Sequence, residues 1–390
     1  MDDSIRQVTI YADPNVYASF PEIIRTDDTL IVTMLHQDLE ALHKSKLHPH
    51  YQPVARMRYA VSRDNGGTWE VVDDPPPLGR VLHATRGSAA LDDGGLIRFL
   101  RWYTSGTTTA ESLRARIYHG RLADPEEILV TDHGPAGWMP EDMVPLIFDL
   151  ARFKDGSFLA AAYARVADAT PHDTPEGAEL ERAWPKDAQR WTCFFYKGSP
   201  DGREWKYLST IPNHHTFCLG EPSIAVMDDG RIVCLIRTDW PAGYKDLLPA
   251  EVNGNGTKRN GYGWWLYQTE STDGGLTWTE PVQLPLWGHP PNLLRLSSGN
   301  LLMVYGHRRP PFSIRGILSR DGGRTWDPSM LKTLRTFDPA CYDMGYPVAT
   351  QLPNGEILCC CYGFSTPNAG EKAPHGIFGM IFSEDWIARP

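Results

Sequence analysis

Long apolar runs are missing from this sequence of 390 residues, and none reaches the length of a membrane span. The opening stretch, MDDSIRQVTIYADPN, has no basic segment followed by an apolar one. A signal peptide is therefore not expected, and the cytoplasm is the expected compartment. Basic runs are also missing and the net charge is −10, which argues against a nucleic-acid partner. Helical periodicity is nearly absent, the one candidate being a short turn around residues 38–44. The cysteines number seven, and three of them, Cys359, Cys360 and Cys361, are adjacent. Neighbours on a strand point to opposite faces and do not bridge easily, so buried free thiols are expected. No cysteine pair has zinc-ligand spacing, and His43, His48 and His50 are not at helical i, i+4 spacing. No metal and no cofactor is expected.

What the sequence has is repetition. SRDNGGTW at 62–69, STDGGLTW at 271–278 and SRDGGRTW at 319–326 share one pattern, Ser-x-Asp-x-Gly-x-Thr-Trp, and SPDGREW at 199–205 is a copy one residue shorter. Asp64, Asp273 and Asp321 can accept hydrogen bonds from turn amides, and the glycines allow positive φ. The tryptophan that follows is read as a plug under its own hairpin. A longer pattern lies beneath: a small or proline-containing start, an apolar strand, a tight turn and a second apolar strand. It occurs at 21–33, 87–99, 145–160, 221–234, 291–304 and 346–359, with Asp-Gly, Asn-Gly or Ser-Gly at the turn in five of the six. The spacing of about 50–75 residues fits a four-stranded propeller blade with insertions.

Six hairpins predict an all-β chain, a six-bladed β-propeller of four-stranded antiparallel blades spanning residues 1–390 as one domain. The first strand of each hairpin should line the central channel. RQVTIYA near the start and HGIFGMIFS near the end should share one blade and close the ring. The connection 36–51, rich in histidine, reads as a long loop. The polar segment at 168–184 is long enough for a lid or for the contact of a homo-oligomer.

A six-bladed propeller with such Asp-box turns resembles the sialidase (neuraminidase) superfamily over essentially the whole chain. The resemblance implies a carbohydrate substrate and a tyrosine nucleophile assisted by a glutamate; no membrane partner is expected, since no apolar run is long enough to span one. The tyrosine falls at Tyr346, in DMGYPVATQLPNG, and the glutamate at Glu221, in GEPSIAVMDDGRIVCLIRTD, which also supplies Arg237. GHRRPPFSIRGILS offers Arg308, Arg309 and Arg315 for the last arginine of the carboxylate clamp. Where the family has its first clamp arginine, YASFPEI has Ser19. The basic residue expected after the next strand is missing from MLHQD. Asp38 is the candidate acid/base, on the loop that follows. The resemblance thus implies a kept nucleophile pair and an incomplete clamp.

The chemistry is coherent. A phenol is a weak nucleophile near pH 7, and a carboxylate within reach can take its proton as it attacks. Sialidases depart in this way from the usual pair of carboxylates. His83 and His289, just ahead of inner strands, and Arg86 are further candidates for binding substrate at the channel mouth, with His214, His215 and His307 nearby. Three functions follow as expectations: an exo-acting glycoside hydrolase on a terminal acidic sugar, a lyase on uronic-acid glycans with a His or Tyr base and Arg neutralising the carboxylate, and a non-catalytic glycan-binding propeller.

Overall fold

A computed structural model describes residues 5–41, 56–99, 113–135, 145–166, 190–212, 218–239, 265–337, 343–364 and 374–389. Its strands form six antiparallel sheets arranged as propeller blades. Strand β1 (Arg6–Asp13) precedes the first blade, which comprises β2 (Val16–Thr26), β3 (Leu30–Asp38), β4 (Arg56–Ser62) and β5 (Glu70–Val72), with β6 (Val81–Ala84) added beside β2. The second blade is β7 (Ser88–Ala90), β8 (Leu96–Phe99), β9 (Arg114–Tyr118) and β10 (Glu126–Leu129). The third is β11 (Leu146–Arg152), β12 (Phe158–Val166), β13 (Arg190–Gly198) and β14 (Trp205–Thr210). The fourth is β15 (Cys218–Val226), β16 (Ile232–Asp239), β17 (Trp265–Ser271) and β18 (Val282–Trp287). The fifth is β19 (Pro291–Arg295), β20 (Leu301–His307), β21 (Ser313–Ser319) and β22 (Lys332–Thr336). In the sixth, β23 (Gly345–Gln351), β24 (Ile357–Phe364) and β25 (His375–Phe382) are completed by β1 from the other end of the chain. That pairing, Arg6 opposite Ile381 through Asp13 opposite His375, closes the ring and leaves no open edge between first and last blades. A one-turn helix, Glu384–Ile387, follows β25.

The blades pack because their central strands are apolar on both faces. In β24, Ile357 through Cys361 are all fully buried, alternate side chains serving the clusters on either side. The six described cysteines are buried and free, as expected, and Cys341 lies outside the described residues. Around the channel, side chains of one inner strand bond to the backbone of the next. Thr85 accepts from Ile23 N at 2.8 Å, Asp149 accepts from Ile224 N at 3.0 Å, Ser223 from Leu293 N at 2.9 Å, and Asn292 from Ala349 N at 3.0 Å. These bonds form a buried polar waist that ties successive blades together.

The repeated turns lie where each third strand ends, at the blade face away from the inner-strand starts. In each full copy the aspartate accepts from the serine hydroxyl and from the threonine amide and hydroxyl. For Asp273 these bonds measure 2.8, 2.9 and 2.6 Å. The threonine bonds, with the serine's, lower the Asp64 and Asp273 carboxyls to about 2. The tryptophans depart from expectation. Trp278 does not plug its own hairpin: it stacks on Phe195 of the third blade, 4.1 Å between centroids, and donates to Ser209 at 3.1 Å. Trp326 donates to Gln268 of the fourth blade at 2.7 Å, and Trp205 sits edge-on to Phe99 of the second. A ring at the end of the turn, just ahead of or at the start of the outer strand, reaches sideways and fills the gap between neighbouring blades. His36 also departs: it belongs to β3 rather than to a loop, and its Nε2 lies 3.1 Å from the Tyr11 hydroxyl.

Trp278→Ala should lower stability by about 3–5 kcal/mol, as for truncation of a large packed ring, and leave the channel mouth unchanged. Urea melts, with a crystal structure of the variant, check both parts.

Candidate functional site at the channel mouth

Three inner strands begin with the same irregularity. The pairing skips two residues between Ser19 and Glu22, between Gly220 and Ser223, and between Gly345 and Val348. The skipped pairs are Phe20-Pro21, Glu221-Pro222 and Tyr346-Pro347. The proline has no N–H to give the ladder, so the strand bulges. The residue before it takes a left-handed backbone, φ 53° at Phe20, 48° at Glu221 and 46° at Tyr346. Arg86, ahead of Gly87 and β7, has φ 50°. Left-handed non-glycine residues cost on the order of 1–3 kcal/mol each and persist where surroundings over-determine them. Here they turn four side chains out of the sheets and toward one another.

Tyr346 and Glu221, from the sixth and fourth blades, meet across the mouth. The Tyr346 hydroxyl donates to Glu221 Oε1 at 2.5 Å. Arg237 Nη1 donates to Glu221 Oε2 at 2.6 Å and lies 3.3 Å from the Tyr346 oxygen, while its Nη2 donates to Asp239 at 3.1 Å. Burial works to raise the Glu221 carboxyl, but Arg237, the Tyr346 hydroxyl and Arg86 together hold it below the usual range. Burial, and then the Glu221 charge, raise the Tyr346 phenol. Glu221 is therefore an ionised acceptor and Tyr346 a neutral donor.

The other candidates divide. The Arg308 guanidinium lies 5.7 Å from the Tyr346 ring centre, and its Nε donates to Met344 O at 2.8 Å. Its Nη2 is buried and, among the described residues, has no hydrogen-bond partner. Arg86 is 5.3 Å from the same ring, but it is buried, with Nη2 donating to Pro347 O at 2.6 Å, so it supports the ring from beneath. Arg309 lies over Trp287 at 3.7 Å, and Arg315 donates to Ser313 within its own strand. His289 is buried beside the mouth, kept neutral by burial and then by Arg237 and Arg308. His83 is misplaced by the sequence reading: it belongs to β6, opposite Arg25 near the end of β2, and so sits at the far end of the channel. Asp38 is exposed at the mouth-side end of β3 and accepts from Ala41 N at 2.8 Å. Among the described residues it makes no contact with Tyr346, Glu221 or Arg237. His43, His48, His50, His214, His215 and the segment 168–184 lie outside the described residues.

The structure adds groups that sequence reasoning passed over. Asp343 accepts from the Tyr17 hydroxyl at 2.6 Å and from the Tyr362 hydroxyl at 2.7 Å. Phe20 stands edge-on to Tyr346, 4.8 Å between centroids. It occupies in the first blade the bulge position that Glu221 and Tyr346 occupy in theirs. Ser19 beside it is wholly buried, its Oγ without a partner among the described residues. The first-blade wall of the site is therefore apolar. A residue directly before proline at an inner-strand start was the available signal, shared by Phe20, Glu221 and Tyr346. The place of Asp343, three residues before Tyr346, carried none.

No protein-family model matches the chain. It is 30% identical over 147 residues to an exo-alpha-sialidase of Aspergillus fumigatus, a match that covers 33% of this chain and about a third, 34%, of that protein. A Dyadobacter fermentans protein of unknown function has a similar structure, with a TM-score of 0.67 at 19% identity, covering 97% of this chain and 98% of that one. A Hadza microbial sialidase gives 0.56 at 14% identity, over 95% of this chain and 66% of that one. An ulvan-cleaving polysaccharide lyase gives 0.51 at 12%, over 95% and 80%. The resemblance to the sialidase superfamily thus holds for the six-bladed fold.

Arg237→Met tests the electrostatics of the pair. In the wild type the lowered Glu221 carboxyl contributes stability that is present above its unfolded value near 4.5 and lost as pH falls through the folded one. Without Arg237 burial wins and the carboxyl rises. The variant should lose about 3–5 kcal/mol at pH 7 and recover part of it as the pH is lowered toward 5, where the wild type gains nothing. Urea melts at pH 5 and 7 measure this.

Proposed function

We propose that this protein is an exo-acting glycoside hydrolase that cleaves a terminal acidic sugar from a glycan, with Tyr346 as nucleophile and Glu221 as its base. The observation that carries the reading is the 2.5 Å hydrogen bond from a buried neutral phenol to a buried ionised carboxylate. As the Tyr346 oxygen bonds to the anomeric carbon, its proton passes to Glu221 Oε1, and the bond to the leaving oxygen breaks. Arg237 keeps Glu221 charged until then and lies close enough to the phenol oxygen to stabilise negative charge developing on it. Asp38, at the rim, is assigned the proton that the leaving oxygen needs. Water then attacks the anomeric carbon of the glycosyl-tyrosine, giving one proton to Asp38 as the bond to the Tyr346 oxygen breaks, and Glu221 returns its proton to that oxygen. Two displacements give retention of configuration. A neutral nucleophile suits a sugar with a negative group beside the anomeric carbon, since a carboxylate there would be repelled.

Arg308 is assigned the acidic group of the sugar, because its Nη2 is a buried donor with no partner among the described residues. The first blade offers Phe20 and Ser19 where a clamp arginine would stand, so sialic acid itself is disfavoured. A charge-assisted contact is worth roughly 1.5–3 kcal/mol. A second reading, elimination from a uronate, draws on His289, an imidazole kept neutral by burial and then by the nearby charges of Arg237 and Arg308. Elimination gives an unsaturated sugar that absorbs in the near ultraviolet, and hydrolysis does not.

Tyr346→Phe removes one oxygen and should leave the melting temperature nearly unchanged. Turnover on the glycan or aryl glycoside found by screening should fall on the order of 10²-fold or more, and NMR of the wild-type product should show retention. Near-normal turnover by Tyr346→Phe would exclude the tyrosine mechanism. Efficient release of 4-methylumbelliferone from its sialoside would overturn the assignment of an incomplete clamp.

A further inference from the structure

The end of the channel opposite the mouth holds a separate cavity of about 410 Å³, walled by residues of all six inner strands. That volume is in the range of small-molecule sites. Arg25, Arg152 and Arg295, from the first, third and fifth blades, alternate around it. Two of these cations are already neutralised. Arg152 pairs with Asp92 and Arg295 with Asp228, both partners being largely exposed. Arg25 differs. It is half-buried, and among the described residues its buried Nε has no hydrogen-bond partner and no carboxylate pairs with it. Burial accordingly makes it a stronger acid, its pKa lying below the usual arginine value. Its cross-strand neighbour His83 is held neutral, at about 4, by burial and then by Arg25. His83 Nδ1 lies 3.0 Å from the Thr350 hydroxyl of the sixth blade.

A partly desolvated guanidinium without a counter-charge is unfavourable unless an anion completes it. Its planar fork matches the two oxygens of a carboxylate, phosphate or sulfate. We propose that the far end of the channel is a second binding site, for a monosaccharide-sized molecule with one such anionic group, and that Arg25 receives that group. The site shares no residue with the Tyr346–Glu221 pair, so it stands whatever reaction the mouth performs.

Calorimetric titration of the full chain tests this with four probes: glucuronate, glucose 6-phosphate, inorganic phosphate and glucose. At least one of the three anionic probes should bind saturably, and glucose should not. Glucuronate or glucose 6-phosphate binding without phosphate binding identifies an acidic sugar, and phosphate binding alone identifies a free anion. Arg25→Gln should weaken the binding about tenfold or more, Arg25→Lys should keep part of it, and Tyr346→Phe should leave it intact. Because no carboxylate among the described residues pairs with Arg25, Arg25→Gln should melt at or above the wild-type temperature. The proposal is overturned if no anionic probe binds the wild type, if Arg25→Gln binds equally well, if Tyr346→Phe abolishes the binding and so places it at the mouth, or if Arg25→Gln melts several degrees lower and so marks Arg25 as structural.

Discussion

Glu221 is buried between a phenol and a guanidinium, and the mouth of the propeller is organised around keeping its charge there. A carboxylate this deep would ordinarily take up a proton. Arg237 prevents that, and Arg237 is itself held by Asp239 on the other side. The Tyr346 hydroxyl fills the remaining oxygen of Glu221. Remove any member and a charge or a donor is left without its complement in a low-dielectric pocket. The three therefore behave as a unit, and the unit can exist only where the fourth and sixth blades face each other.

Backbone strain provides that meeting. An ordinary strand would point Glu221 and Tyr346 into the packing between blades. The bulge before each proline, with left-handed residues at its turn, points them instead into the channel. Close approach of the fifth and sixth blades helps. A Cβ at Gly306 would come within 2.8 Å of His289 O, so glycine there lets β20 run close beside Gly345. The polar waist below, through Thr85, Asp149, Ser223 and Asn292, holds the inner strands in register and keeps the strain from relaxing. The waist also divides the channel. Above it lies a site in which Arg237 is paired with Glu221 and Asp239, and below it a cavity in which, among the described residues, no acid pairs with Arg25.

Much of the fold was legible because it rests on local rules. Asp-Gly and Asn-Gly turns between apolar runs mark hairpins wherever they occur. Six of them at blade spacing leave few architectures, and closure by the two chain ends follows from two strands left over. The Tyr346, Glu221 and Arg237 positions were readable too, through a resemblance carried by short motifs. His83 was not, because proximity in sequence to an inner strand does not say which end of the channel a residue reaches. β6 pairs with the exit of β2 rather than its entry, and only the pairing shows it. The tryptophans were read as hairpin plugs because their contacts with the preceding blade involve residues distant in sequence, from Gln268 for Trp326 to Phe99 for Trp205.

By itself the sequence determined the period, the turns, the alternation of buried faces and the residue types available for chemistry, since each depends on neighbours a few positions apart. The tertiary structure decided which of those residues meet. Arg308 rather than Arg309 or Arg315 stands over Tyr346, Asp343 gathers two tyrosines from other strands, and Phe20 walls the first blade where a basic side chain would have changed the charge of the site. These outcomes depend on the angle at which one blade faces another. That angle is set by twist, by bulges and by packing summed over the whole ring, and no short stretch of sequence records it.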